Sequence, residues 1–134
     1  MTPELFWLAA TALLAASLWI PYIVGVNMHP ALDDGGGFLR PADLTGFPPW
    51  VHRAHRAHLN LIEQGLPFAI LVLIAAVAGV STTVTIWAAA CFFWLRVIHA
   101  AGMISGLARF PARPIIFTAG WICILAVGWE ILTA

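Results

Sequence analysis

The sequence predicts an all-α membrane protein, a single bundle of four transmembrane helices occupying residues 1–134. Three observations predict it. Mean hydropathy is +0.94, and only 9% of the 134 residues are charged, whereas soluble domains run near about a quarter. Four apolar stretches each approach the roughly 20 residues that a helix needs to cross the hydrocarbon layer. The segments between them are short, or rich in Gly, Pro and Asp, as connections should be.

The first crossing is Leu5–Val26, in a helix expected over residues 5–26. It opens with Glu4 instead of a basic segment and offers no convincing cleavage site before the polar loop, so it reads as a retained helix and not a signal peptide. The connection NMHPALDDGGGFLRPADLTGFPP reads as a loop, and its Gly35–Gly37 run is too short to count as low complexity. The second crossing, Leu59–Val80, belongs to a helix expected over residues 51–80. Only GVSTT separates it from the third crossing, Val84–Gly106, expected over residues 83–106, so these two form a tight antiparallel hairpin. Basic LARFPARP leads into the last crossing, Ile115–Leu132, in a helix expected over residues 113–133.

Charge sets direction and excludes partners. All 6 basic residues are arginine and they balance 6 acids, so no positive excess points to nucleic acid. Arg40, Arg53 and Arg56 flank the first loop, Arg109 and Arg113 the third, and the termini and central hairpin carry no arginine. The positive-inside rule then puts both arginine-bearing loops in the cytoplasm and both termini on the other side. Trp7, Trp50 and Trp87 fall near helix ends, as interfacial anchors do. Cys91 and Cys123 lie inside apolar runs and read as small buried hydrophobes, not as a disulfide or a thiolate metal site.

The candidate chemistry sits on the second helix. At about 100° per residue, His52, Arg56, Asn60 and Glu63 fall within roughly an 80° arc, with Pro67 on the same arc. Pro67 has no N–H, so the Glu63 carbonyl loses its helical donor. An acid costs about 2.5–3.5 kcal/mol at mid-membrane on insertion scales, so Glu63 should not face lipid. On the third helix Arg96 and His99 share a side, and Glu63 and Arg96 reach similar depths, about 15–20 Å from the basic loops. An interior Glu63–Arg96 ion pair is therefore expected, either as a lock between two helices or as part of a site. Gly102 and Gly106 form a small-xxx-small step for close helix approach. His52, His55 and His58 fan across about 120° and would converge poorly on one ion, so no metal site is expected and an interfacial role is the plainer reading.

RAHLNLIEQGLPF, with its Arg-Ala-x-x-Asn-x-x-Glu followed by Pro-Phe, resembles the second-helix signature of the MAPEG family, the membrane-associated proteins of eicosanoid and glutathione metabolism. RVIH resembles the family's third-helix element, and RFPARP its loop into the fourth helix. The resemblance covers essentially the whole chain and is to a bacterial-type member, which implies a bacterial inner membrane. It implies a homotrimer, with glutathione as co-substrate between neighbouring subunits toward the cytoplasmic side and a lipophilic small molecule approaching its thiol. It places Arg56, Asn60 and Glu63 at glutathione-binding positions. Arg96 and His99 match an interior basic residue and a glutathione contact, and Arg113 the thiolate-stabilising arginine. Several family enzymes carry a tyrosine where this chain has Met103. Pro114 and Phe117 stand at serine and tyrosine positions, and Asn27 and His29 where glutathione-binding members carry arginines.

Two functional readings follow. The first is a glutathione transferase or peroxidase acting on lipophilic electrophiles. The second is a non-catalytic membrane subunit or binding protein, within a trimer or a larger complex, that keeps the fold and polar pocket. A four-helix multidrug exporter fits less well, because it needs a proton-coupled acid in the first helix, where only terminal Glu4 exists.

Overall fold

The computed structural model describes residues 1–29 and 45–134. Arg40 and the Gly35–Gly37 run lie outside the described residues. Four helices, α1 (Pro3–Asn27), α2 (Pro49–Ala78), α3 (Thr83–Ser105) and α4 (Ala112–Leu132), account for almost everything described, with no strand among those residues. All four are long and apolar enough to cross a membrane, which makes this a multi-pass integral membrane protein.

Local chemistry sets the helix ends. Thr2 caps α1, accepting from the Leu5 N–H at 3.4 Å, and Pro3 follows at the first helical position, where its missing N–H costs nothing. Gly79 stops α2 at φ 71°. Its N–H reaches the Ala76 carbonyl, and the next N–H, of Val80, reaches Ala75 at 2.9 Å. These two bonds satisfy carbonyls the helix would otherwise leave bare, with glycine taking the left-handed residue. Thr82 and Thr85 then open α3 with a reciprocal capping box. The turn is thus encoded at both ends, and the hairpin is tight for that reason.

α2 and α3 form the centre of the bundle. α1 packs on both and α4 packs on both, while α1 and α4 make no packing contact among the described residues. Phe68 of α2 and Phe92 of α3 stack with centroids 4.1 Å apart, and Val72, Ala89 and Val127 close around them. A second cluster, of Leu18, Ala57, Leu61, Ala100 and Met103, joins α1 to the centre. Gly25 lets α1 approach α2 closely, since a Cβ there would lie 2.6 Å from Val51 and 2.8 Å from Trp50. Lipid tails are as apolar as the side chains, so close packing of this kind holds the bundle and hydrophobic burial does not.

The Gly102–Gly106 step works differently from the expected helix seam. A Cβ on Gly102 would meet Ala108 of the α3–α4 loop at 2.8 Å, and Gly106 ends α3 at φ 81°. The Arg53 guanidinium lies over Gly106 and donates to the Ile104 carbonyl at 3.4 Å, a cation at a helix C-terminus. The two glycines therefore fold the chain back on itself and seat Arg53.

At the opposite end a hydroxyl cluster ties the termini to the hairpin. Glu4 is buried, and its Oε1 accepts from Ser81 at 2.9 Å and Thr85 at 2.6 Å, while Thr82 donates to Glu130 of α4 at 2.7 Å. The capping residues of α3 thus also hold α1 and α4.

Candidate functional site

At the arginine-bearing end, α2, the α3–α4 loop and the start of α4 enclose a cleft of about 760 Å³. α2 contributes Arg56, Asn60 and Glu63. The loop adds Arg109 and Phe110, and α4 adds Arg113, Pro114, Phe117 and Thr118. The polar residues of α2 reach one opening because their spacing keeps them on one helical face. Four predicted site residues, Arg56, Asn60, Glu63 and Arg113, are thereby brought together.

Arg96 and His99 are not in this group. Both are 2% exposed, inside the bundle, behind the ring of Phe117. That ring borders the cleft and lies 5.7 Å from the Arg96 guanidinium carbon and 6.3 Å from the His99 ring. Phe92 faces Arg96 from another side at 5.5 Å, so the cation is held between two aromatic rings.

The expected Glu63–Arg96 ion pair does not form within the chain. Glu63 is exposed on the outer side of α2 and faces the cleft, whereas Arg96 points inward. Arg96 Nη2 donates to the Ile116 carbonyl at 3.2 Å, and its Nε and Nη1 have no hydrogen-bond partner among the described residues. Equal depth did not mean a shared face. One residue further along α2, about 100° around, Gln64 takes the inward place, donating through Nε2 to the Phe117 carbonyl at 3.3 Å. Gly120 makes room for both side chains: a Cβ there would be driven into the Arg96 guanidinium and within 3.0 Å of the Gln64 Oε1.

The electrostatics of the cleft are one-sided. Among the described residues, Arg56, Arg109 and Arg113 line it against the single carboxylate of Glu63, and no ion pair forms. Like charges held around one opening repel, more strongly where a membrane lowers the local dielectric. Asn60, only 5% exposed, lines the wall, and its side-chain amide makes no hydrogen bond among the described residues. The arrangement suits a ligand with more negative than positive charge, whose cationic group Glu63 would hold.

The histidines lie apart from the cleft. His55 stacks on Tyr22 of α1 with centroids 4.6 Å apart, and no group of three metal-ligating side chains occurs among the described residues. Sequence reasoning used Arg109 only for orientation and passed over Gln64 and Thr118. A face count from Pro114 would have reached Thr118, one turn on. Gln64 gave no signal, because its role depends on which face of α2 meets α3.

Residues 6–133 match the model of the MAPEG family. A search of curated proteins returned no match.

Proposed function

The chain belongs to the MAPEG family, and from that premise and the charge inventory of its cleft we propose a membrane transferase that presents glutathione to lipophilic electrophiles. The inventory carries the reading. Among the described residues, three guanidiniums, one carboxylate and one free side-chain amide complement a tripeptide bearing two carboxylates, one ammonium and a thiol. Arginine is suited to the carboxylates by its forked donors, and it stays charged throughout. In this reading Arg56 and Asn60 hold a carboxylate end, Glu63 holds the ammonium, and Arg113 faces the sulfur. Glutathione supplies the nucleophilic sulfur, and a nearby cation favours its ionised form. Arg96 and His99, enclosed behind Phe117, support the wall from within.

Copies of the chain would close the site. Arg56 and Glu63 are exposed in the single chain, and charges at that depth are costly against lipid. A homotrimer with the cleft at each subunit boundary removes that cost. The arginine-bearing end would lie in the cytoplasm, since Arg53, Arg56, Arg109 and Arg113 gather there while Glu4 and Glu130 occupy the other end.

The test is calorimetric titration of the purified protein with glutathione, followed by conjugation to a chlorinated nitroarene. Saturable binding with turnover is expected. No binding at millimolar glutathione would instead support a non-catalytic subunit, a reading consistent with Pro114 and Phe117, which line the cleft without a side-chain donor.

A further inference from the structure

Among the described residues, most aliphatic hydroxyls in the helices or at their ends are engaged, whereas those of Thr83 and Thr118 are not. Thr11, Ser17, Ser105 and Thr133 each donate to the carbonyl four residues back, at 2.7–2.9 Å, the usual resort of a hydroxyl on a helix. Thr85 is engaged by Glu4 and the Thr82 carbonyl. The Thr118 hydroxyl makes no hydrogen bond among the described residues, and the residue is exposed.

Its position gives that free hydroxyl a use. Thr118 lines the cleft, as Arg113 does. It also lines a second depression, of about 380 Å³, walled by Pro114, Ile115, Ala119 and Ile122. Among the described residues only Pro114 and Thr118 border both spaces, and proline has no donor. The seam between the cationic cleft and the apolar depression therefore carries one side-chain hydrogen-bond donor.

We propose that the Thr118 hydroxyl donates to the glutathione sulfur and holds it at this seam, where the apolar body of the electrophile arrives from the depression. The inference rests on the glutathione reading above. In the reaction the sulfur forms a bond to the electrophilic carbon of the nitroarene, and chloride leaves with the bonding pair. The thiol proton has already passed to water, and Thr118 keeps its own proton throughout. A donor to an anionic sulfur favours the thiolate over the thiol, so the hydroxyl should show itself before any electrophile is added.

The experiment follows the ultraviolet thiolate band of bound glutathione against pH in detergent-solubilised protein, for the wild type, Thr118→Val and Thr118→Ser. Valine keeps the shape and removes the donor. The band of Thr118→Val should appear about one pH unit higher, the scale expected for one hydrogen bond to a charged group. Its conjugation rate near neutrality should fall about tenfold, glutathione affinity should stay within about threefold, and Thr118→Ser should restore the wild-type titration. A Thr118→Val titration that superimposes on the wild type overturns the assignment and leaves the glutathione reading intact. Outright loss of binding in Thr118→Val overturns it too, since the role would then be structural. A wild type that binds no glutathione removes the functional reading and this inference together.

Discussion

A methyl group added at Gly120 would press on the Arg96 guanidinium and the Gln64 amide, and neither has open space to enter, at 2% and 6% exposure. Gly120→Ala should therefore lower stability by about 1–3 kcal/mol, the usual penalty for overpacking, read as a fall in detergent melting temperature. Arg113 lines the cleft and is exposed, so Arg113→Ala should leave the melt nearly unchanged. If it faces the sulfur as proposed, that variant should depress the conjugation rate more than it weakens glutathione binding. Glu63 and Arg96 make a sharper case. Because Glu63 of α2 faces the cleft while Arg96 of α3 points into the bundle, and the two do not pair, Glu63→Ala and Arg96→Met should change stability additively within about 0.5 kcal/mol. A larger coupling in a double-mutant cycle would reinstate the ion pair. The residues that carry charge at this end were readable from spacing along α2. The partner of Arg96 was not, because the pattern gives depth and face on each helix separately and is silent on how two helices are rotated toward one another.

The α2–α3 hairpin joins all four helices at one end through a handful of polar groups. Thr85 is fully buried and donates to Glu4, while Thr82 of the same capping box holds Glu130. Replacing Thr85 by valine keeps the volume but takes away a donor to a buried carboxylate, and hydrogen bonds to charged groups contribute about 1.5–3 kcal/mol. A melting shift of that size is expected for Thr85→Val, whereas Thr133→Val, at an exposed hydroxyl, should move the melt little. The helices themselves were legible, since long apolar runs broken by GVSTT and by Gly/Pro-rich stretches admit few other readings. The polar cluster was not. Glu4 stands alone at one end of the sequence, and its partners lie 77 and 81 residues away, a separation at which no periodicity connects them. Gly102 and Gly106 misled for a related reason: a four-residue step of small side chains signals close approach, but not whether the approaching segment is a helix or the chain's own loop.

α1 and α4 sit at opposite corners of the bundle without touching, and α4 presents Ile115, Trp121, Ile122, Leu125 and Trp129 outward. A lone chain in a bilayer would accept those side chains readily, since tails and side chains are alike apolar. It would not so readily accept Arg56 and Glu63 on the same exterior, at a cost of about 2.5–3.5 kcal/mol for each charge that lipid surrounds at depth. The proposed assembly of copies across the cleft would resolve this, and it should take place within the membrane with the arginine-bearing end in the cytoplasm. Both parts can be read in one set of variants. With Cys91 and Cys123 replaced by alanine, Val80→Cys in the hairpin and Leu107→Cys in the α3–α4 loop place single thiols at opposite ends of the bundle. A membrane-impermeant maleimide applied to intact cells from outside the inner membrane should label Val80→Cys and spare Leu107→Cys, and permeabilisation should expose both. The reverse pattern would invert the orientation and move the cleft to the other side, away from the cytoplasmic pool of glutathione. The same proteins, measured by native mass in mild detergent, should appear as three copies. A species that stops at two copies would leave the labelling result standing while removing the trimer, because direction follows from arginine placement and copy number from how the cleft is closed.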